Sequence, residues 1–378
     1  MKRVLITGGA GFIGSHLATA LNASGHVVTI LDSLLPQVHG ANPHDSSLLE
    51  VARAAGNVLV GDITDRKIVE RAIRNQDVVI HLAAETGTGQ SMYEVERYSR
   101  VNVGGTALLL DVLANAKHRS VSKLVVASSR SIYGEGRYLS KELGYVYPGA
   151  RHEDDLLAGQ FEPTYPGATS GLKLVGTTED SRIHPSSVYG ITKHTQESLV
   201  MTVGPSLGIA SVALRYQNVF GPGQSLSNPY TGILSIFSTL IREGRSINVF
   251  EDGLESRDFV FIDDVVRATA QAALDPRADN QVLNVGSGTA TTVNTVVSEL
   301  MNAYGKTVPV EITGNFRLGD IRHNVADLTR VGDVLEFRPQ VGFHDGVRLF
   351  ASWVEEQNPV ESGYEASLEE MRKKKLLK

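Results

Sequence analysis

Two side chains four positions apart, Tyr189 and Lys193, stand in the segment Ser187-Val188-Tyr189-Gly190-Ile191-Thr192-Lys193. A helix there would place both on one face. Such a pair suits alcohol oxidation, which needs a base for the hydroxyl proton as a hydride departs. A phenol of ordinary pKa is a poor base at neutral pH. An ammonium about 6 Å away, at an effective dielectric of about 20, favours the phenolate by roughly 2.8 kcal/mol, or about two pKa units. A cationic nicotinamide ring adds to that pull, so the expectation is a Tyr189 brought close to neutrality. The spacing by itself is also that of an ordinary amphipathic helix with a surface lysine. A third residue bears on the choice. Ser129, in Val125-Val126-Ala127-Ser128-Ser129-Arg130-Ser131-Ile132-Tyr133-Gly134, ends an apolar strand. The carboxyl ends of parallel strands are where such sheets bind ligands. The Ser129 hydroxyl can bond the reacting oxygen, while Ser128 reads as structural.

A hydride acceptor has its own signature. Thr7-Gly8-Gly9-Ala10-Gly11-Phe12-Ile13-Gly14 joins an apolar strand to a helical pattern. Gly8 allows the tight turn, Gly11 lets a pyrophosphate approach the helix N-terminus, and Gly14 lets helix and strand pack closely. Asp32 ends the second strand, where its carboxylate can accept hydrogen bonds from an adenosine ribose and repel a 2'-phosphate. No Arg or Lys lies between Asp32 and Gln37, so NAD is expected over NADP. Gly61-Asp62-Ile63-Thr64 follows the third strand and would bring Asp62 near the adenine, although an aspartate there is commonly a helix cap. Leu82, Ala83 and Ala84 end the fourth strand with residues that suit close approach of a cofactor.

The elements that must position these groups alternate. Val4–Ile6, Val27–Leu31, Val58–Val60, Val78–Leu82 and Leu124–Ala127 read as strands separated by helical patterns. The fold class expected is α/β, a Rossmann-type doubly wound parallel sheet with a smaller, mixed α/β substrate-binding domain. The expected division is 1–220 for the NAD-binding domain, with an insert at about 136–183, then 221–365 for mainly substrate binding, with some segments returning to the first domain. Residues 366–378, containing Arg372-Lys373-Lys374-Lys375, read as a charged, solvated tail. The insert leaves beside Ser129 and returns beside Tyr189, so a cover or a partner surface near the sugar is expected of it.

Composition removes several classes of function. There is no cysteine among 378 residues, hence no disulfide, thiolate nucleophile or cysteine-bound zinc, and no metal site is expected. Basic and acidic residues number 36 and 42, for a net charge of -6, with no long basic stripe to attract nucleic acid. No run of 18 apolar residues suggests a membrane span, and glycines interrupt the opening apolar stretch before it reaches signal-peptide length. A cytoplasmic location is the expectation.

The ordered set of motifs resembles the extended short-chain dehydrogenase/reductase family, the NAD-dependent sugar epimerases and dehydratases. It spans Thr7–Gly14, Val101-Asn102-Val103-Gly104-Gly105-Thr106, the Ser128–Gly134 segment, Tyr189–Lys193 and Leu214-Arg215-Tyr216-Gln217-Asn218-Val219-Phe220-Gly221. The resemblance implies Ser129, Tyr189 and Lys193 as catalytic triad, Asn102 and Tyr216 at the nicotinamide, and Asn218 as a ligand of a substrate diphosphate. It also implies that Arg257 and Arg317 clamp that diphosphate, with Asp320 on the ribose. Without the family, each arginine would pass for a surface ion pair. Phe250 would lie against the nucleobase, or else be an ordinary core residue. Leu34–Gly40, Gly89–Tyr93 and Asn228–Ile233 narrow the resemblance to the dTDP-L-rhamnose 4-epimerase group. The function implied is epimerisation of a nucleoside-diphosphate sugar by transient C4 oxidation, in a homodimer packed through the helical patterns 107–116 and 195–203. A UDP-hexose 4-epimerase, dehydratase, decarboxylase, dehydrogenase or NAD-sensing protein are the rivals. Dehydratases carry an Asp-Glu pair after the active-site hydroxyl, where this chain has Arg130 and Ser131. Glu135 is the nearest carboxylate to replace it.

Overall fold

Successive side chains of a strand point to opposite faces, so Val4 and Ile6 must be buried on one side of a sheet and Leu5 on the other. A computed structural model, describing residues 1–226, 228, 230, 232–358 and 363–378, shows both sides covered. Val4, Ile6, Ile30, Ile80 and Val125 join one apolar cluster, which includes Leu17 and Ala268. Leu5, Leu31, Val79 and Val126 join a second, with Leu109, Leu113 and Val200. Continuous apolar strands buried on two faces are the mark of a parallel sheet between helical layers.

Five strands come from the first third of the chain: β1 (Arg3–Thr7), β2 (Val27–Asp32), β3 (Asn57–Val60), β4 (Val78–His81) and β5 (Lys123–Ser129). Two later strands, Ala210–Tyr216 and Val282–Val285, extend the sheet beyond β5. Its order is Val282–Val285, Ala210–Tyr216, β5, β4, β1, β2, β3, and every neighbouring pair is parallel. The order reverses at β1, which opens a crevice at the carboxyl ends of β1 and β4.

Beyond Phe220 the elements are smaller. Asn218–Phe220 pairs with Ser256–Phe261, which also pairs with Ala290–Thr292 and His323–Asn324. The helices Ile233–Arg242, Val293–Tyr304 and Phe343–Glu356 pack around them. Their side chains Leu234, Phe237, Val296 and Phe350 belong to the same cluster as Val4 and Ile6, so one core runs through both halves.

The insert has structure of its own, a three-stranded antiparallel sheet of Gly144–Val146, Tyr138–Ser140 and Lys173–Leu174. The charged tail does not match its expected form. Residues Tyr364–Lys373 are helical, and Tyr364, Leu368 and Met371 are buried with Leu377. These residues recur at positions that share one helix face, a pattern that the run of charges obscures.

The long helix Val188–Ser206 lies across β5 and is anchored there by a buried ion pair. Glu197 accepts from Arg215 Nε at 3.0 Å and from its terminal nitrogen at 2.6 Å. Arg215 also donates to the Tyr133 hydroxyl and the Glu179 carbonyl, each at 2.7 Å. Removing one partner strands the other charge in the interior. Arg215→Met should therefore cost about 3–5 kcal/mol in denaturant unfolding, and Glu197→Met in the same chain should recover much of it. A loss below about 1 kcal/mol for the single variant would contradict this anchoring.

Candidate active site

The helix Phe12–Ala23 begins at Gly11, and no side chain caps it. Its first N–H groups have no intrahelical acceptor and open into a cavity of about 840 Å³. The three glycines differ in what requires them. A Cβ on Gly14 would fall 2.4 Å from the Gly8 carbonyl oxygen, and one on Gly8, at φ +70°, would fall 2.8 Å from Ala83 N. Gly11 is different: a Cβ there meets only the Gly8 oxygen, at 3.4 Å. Protein packing explains Gly8 and Gly14, whereas the space over Gly11 belongs to the cavity. An open helix N-terminus under a bare backbone fits a dinucleotide pyrophosphate.

Asp32, at the end of β2, accepts from Ala10 N at 3.0 Å and Leu34 N at 2.9 Å. Leu34 takes a left-handed φ of 54° there, a conformation that leucine rarely adopts. His39 Nε2 lies 3.7 Å from the Asp32 carboxylate. Asp62 lines the same cavity and accepts from the Thr64 N–H and hydroxyl, each at 2.8 Å. It is not the cap of the helix that follows; Asp65 is. Phe12, Ile13, Ile63, Leu82, Ala83 and Ala84 complete this end.

Asn102 sits behind the cavity wall. It does not line the cavity but is fully buried in a widened helical turn, Ser99–Gly104. Its side chain accepts from Glu85 N at 2.7 Å and donates to the Glu85 carbonyl at 3.1 Å and the Thr192 hydroxyl at 3.0 Å. Every polar atom is spent tying the loop after β4 to the Tyr189 helix. Tyr216 does reach the cavity wall, with its hydroxyl 2.7 Å from that of Thr269.

Ser129, Tyr189 and Lys193 open into the cavity together. The Ser131 N–H and hydroxyl donate to Ser129 Oγ at 3.2 and 2.9 Å. Tyr189 is held by its backbone N–H, which donates to Ser91 at 3.0 Å, and by the edge of Tyr98. Its acidity differs from the expectation. Burial raises the Tyr189 pKa, and the opposing influences are a hydrogen bond with Ser129 and the Arg130 guanidinium. Lys193 is itself buried, which brings its pKa down to about 7. Its ammonium donates to Gln196 at 2.8 Å. Gln196 also reaches His81 and Thr106, at 3.3 and 2.7 Å, and burial lowers the His81 pKa to about 3. This neutral relay behind Lys193 escaped the sequence reading, although His81 stands in the quoted strand end.

At the other end, Asn218, Phe250, Arg257, Arg317 and Asp320 line the cavity, as does Arg130. The three guanidiniums are not equivalent. Arg257 donates to the carbonyls of Ser256, Ile321 and Arg322 and to Asp320 Oδ1, all within 2.9 Å. Arg317 lies over the Phe250 ring, 4.9 Å from its centre, and its buried Nε has no partner among the described residues. Among the described residues Arg130 donates only through Nε, to Asn218 Oδ1 at 2.6 Å. Burial and the neighbouring Arg257 bring its pKa down to about 10, which still leaves it charged at neutral pH. Burial opposes ionisation of Asp320, but Arg257, Arg317 and Arg130 hold its pKa below the usual value. A basic residue directly after Ser129 was the available signal for Arg130.

The insert braces this end instead of covering it. Its ends, Gly134 and Ser186–Ser187, line a small adjoining cavity with Arg130 and Arg317. None of residues 136–183 lines the main cavity. Arg151 makes a two-pronged contact with Glu251 at 2.9 and 2.8 Å, and Glu162 accepts from Arg322 at 2.8 Å. Glu135 faces Arg151, at 3.3 Å, and accepts from Arg322 N at 2.7 Å, so it is taken up outside the main cavity. Pro229 and Thr231, part of a segment quoted for the resemblance, lie outside the described residues. Among the described residues no group of histidines and carboxylates is placed to hold a metal, and no helix is long and apolar enough to cross a membrane.

The sequence pattern of the NAD dependent epimerase/dehydratase family matches residues 4–286. A dTDP-L-rhamnose 4-epimerase of Burkholderia thailandensis is 38% identical over 360 residues, covering 94% of this chain and 96% of that protein. Among solved structures, a UDP-glucose 4-epimerase of Thermotoga maritima with UDP-glucose superposes with a TM-score of 0.74 at 28% identity, covering 93% of this chain and 98% of its own. A Thermus thermophilus UDP-glucose 4-epimerase complex with NAD gives 0.74 at 28% identity, covering 94% and 100%.

Two measurements test the geometry. Gly11→Ala should keep stability within about 1 kcal/mol yet weaken NAD binding at least about tenfold by calorimetry, whereas Gly14→Ala should cost about 3 kcal/mol or more in folding. Equal effects at the two positions would refute the distinction. Lys193, whose folded pKa of about 7 lies below its ordinary 10.5, costs stability below pH 7, and that cost fades as pH rises to 10.5. Lys193→Met should therefore raise the Tm of the ligand-free protein more at pH 6 than at pH 10; a pH-independent change would contradict a buried ammonium.

Proposed function

The chain belongs to the NAD-dependent epimerase/dehydratase family, and from that premise we propose that it epimerises a nucleoside-diphosphate sugar at C4, with a dTDP-linked 6-deoxyhexose such as dTDP-L-rhamnose as substrate. The observation that carries the reading is one cavity lined at one end by an open helix N-terminus, in the middle by Ser129 and Tyr189, and at the other end by arginines. Gly8, Gly11 and Gly14 would hold the pyrophosphate of NAD, with Asp32 toward its ribose and Asp62 toward its adenine, and NAD would supply a reversible hydride acceptor. Tyr189 takes the proton of the sugar hydroxyl while Ser129 orients that oxygen. Epimerisation is complete when, after the sugar has presented its other face, C4 regains the hydride on that face and the same tyrosine returns its proton to the oxygen. That turn needs room, and the cavity volume is at the generous end for a small-molecule site.

Arg130 and Arg317 are the guanidiniums proposed to meet the diphosphate with Asn218, since their donors are not already spent. Arg257 holds Asp320 and the loop behind it. Dehydration is disfavoured because Arg130 and Ser131 provide no acid and base pair and Glu135 is paired with Arg151. The assembly proposed is a homodimer through the outer faces of Gly105–Asn115 and Val188–Ser206, where Ile191 is 52% exposed. The cytoplasm is the proposed compartment.

Tyr189→Phe should reduce turnover by about a thousandfold while NAD still binds, because the proton acceptor alone is lost. NMR of the wild-type protein with dTDP-L-rhamnose should show inversion at C4, and mass spectrometry no 18-dalton loss; water loss would overturn the epimerase reading. Arg130→Met should raise KM for the nucleotide sugar about ten- to a hundredfold. Arg257→Met should also lower Tm, which a pure ligand contact would not do.

A further inference from the structure

The segment 364–378 is chemically ill-matched to a free tail. It follows the helix Phe343–Glu356, turns into the helix Tyr364–Lys373, and ends in an extended stretch. Leu318 N donates to the Leu376 carbonyl at 2.9 Å, Phe316 N to that of Lys378 at 2.8 Å, and Lys378 N back to Phe316 at 3.0 Å. The end of the chain is thus paired, backbone to backbone, on both sides of Arg317. Leu368, Met371 and Leu377 form an apolar cluster with Tyr364, against which Phe250 and Ile236 pack.

The contacts reach both cavities. Tyr364 lines the main cavity, together with Phe250, Ile236 and Arg317. Met371 and Leu376 line the small adjoining one, beside Arg130 and Arg317. A polar anchor holds the helix from the opposite side. The Glu370 carboxylate and the hydroxyls of Tyr93 and Tyr230 lie within hydrogen-bond distance of one another, Tyr93–Glu370 at 3.2 Å, Tyr230–Glu370 at 3.0 Å and Tyr93–Tyr230 at 3.0 Å. Lys374 stands over the Tyr93 ring, and Lys378 pairs with Glu153 of the insert.

We propose that residues 364–378 form a wall of the substrate site, with Tyr364 and Phe250 flanking the nucleobase of the nucleoside diphosphate while the paired terminus fixes Arg317 on its phosphates. The inference rests on the nucleotide-sugar reading. Two aromatic side chains on one cavity wall, with a guanidinium over one of the rings, suit a planar base linked to a diphosphate. No comparable role falls to this segment at the NAD end, where the wall is built from the ends of β1, β2, β3 and β4 and the turns that follow them. Seating of the terminus and filling of the base site should therefore reinforce one another, since each orders groups that the other needs.

The test uses the full-length protein and free dTDP and UDP as probes. Hydrogen exchange of the amides in 364–378 should slow at least about threefold on adding saturating nucleotide and remain unchanged with NAD alone. Tyr364→Ala should weaken nucleotide binding at least about tenfold by calorimetry and leave NAD binding within about twofold. Glu370→Gln, a smaller change, should speed exchange in 364–378 without nucleotide and narrow that difference when nucleotide is bound. Nucleotide binding with no protection of 364–378 overturns this inference alone. Failure of both dTDP and UDP to bind the intact protein overturns the nucleotide-sugar reading beneath it.

Discussion

A buried carboxylate and guanidinium, Glu197 and Arg215, hold the chemistry of this protein in register. Glu197 lies one turn beyond Lys193 on the same helix, and it also accepts a hydrogen bond from Ser128, the residue before Ser129. One carboxylate thus ties the tyrosine helix, the end of β5 and the strand Ala210–Tyr216 together. A helix sliding past a sheet would have to break a fully satisfied ion pair in a dry interior. Ser129 belongs to β5 itself, and the Tyr189 hydroxyl inherits its position relative to Ser129 from that restriction.

A second charge cluster does the same work for the far end. Arg322 is 1% exposed and contacts Glu251, Asp252 and Glu162, while Arg151 reaches from the insert to Glu251 and Glu135. Glu251 carries a left-handed φ of 49°, a strained conformation for a residue with a side chain. The surrounding ion pairs over-determine its position. They hold the loop that carries Arg317 and Asp320 against the Ser256–Phe261 strand. The long insert takes part in this bracing: it supplies Arg151 to Glu251 and Glu162 to Arg322.

The parts legible in sequence are those whose causes are local. Strand alternation, the glycine turn and the positions of Ser129 and Tyr189 follow from spacing and from short-range backbone rules, and the structure brings them to one cavity. Asn102, Arg257 and Lys193 were harder because each is defined by partners distant in sequence. Nothing near Asn102 announces that Glu85 and Thr192 will consume its amide, and nothing near Arg257 announces three carbonyls. The same holds for Lys193, whose charge is weakened by a desolvation that only the assembled core imposes. The terminal helix was hidden for a different reason. Its apolar residues are few, and the intervening lysines and glutamates dominate any average taken over the segment.

The strand Val282–Val285 pairs with Ala210–Tyr216 as the last member of a sheet whose first five strands lie before residue 130. During synthesis, those five can assemble and Ala210–Tyr216 can join them. The strand that covers this edge, and becomes the sheet's outer strand in its place, is still unmade. Until it leaves the ribosome, the nascent protein exposes a row of unpaired amides and carbonyls beside buried-type residues such as Val212 and Leu214. The pace of translation between residues 216 and 285 therefore sets how long that edge is open to aggregation, and it makes this interval the one in which a chaperone has most to protect.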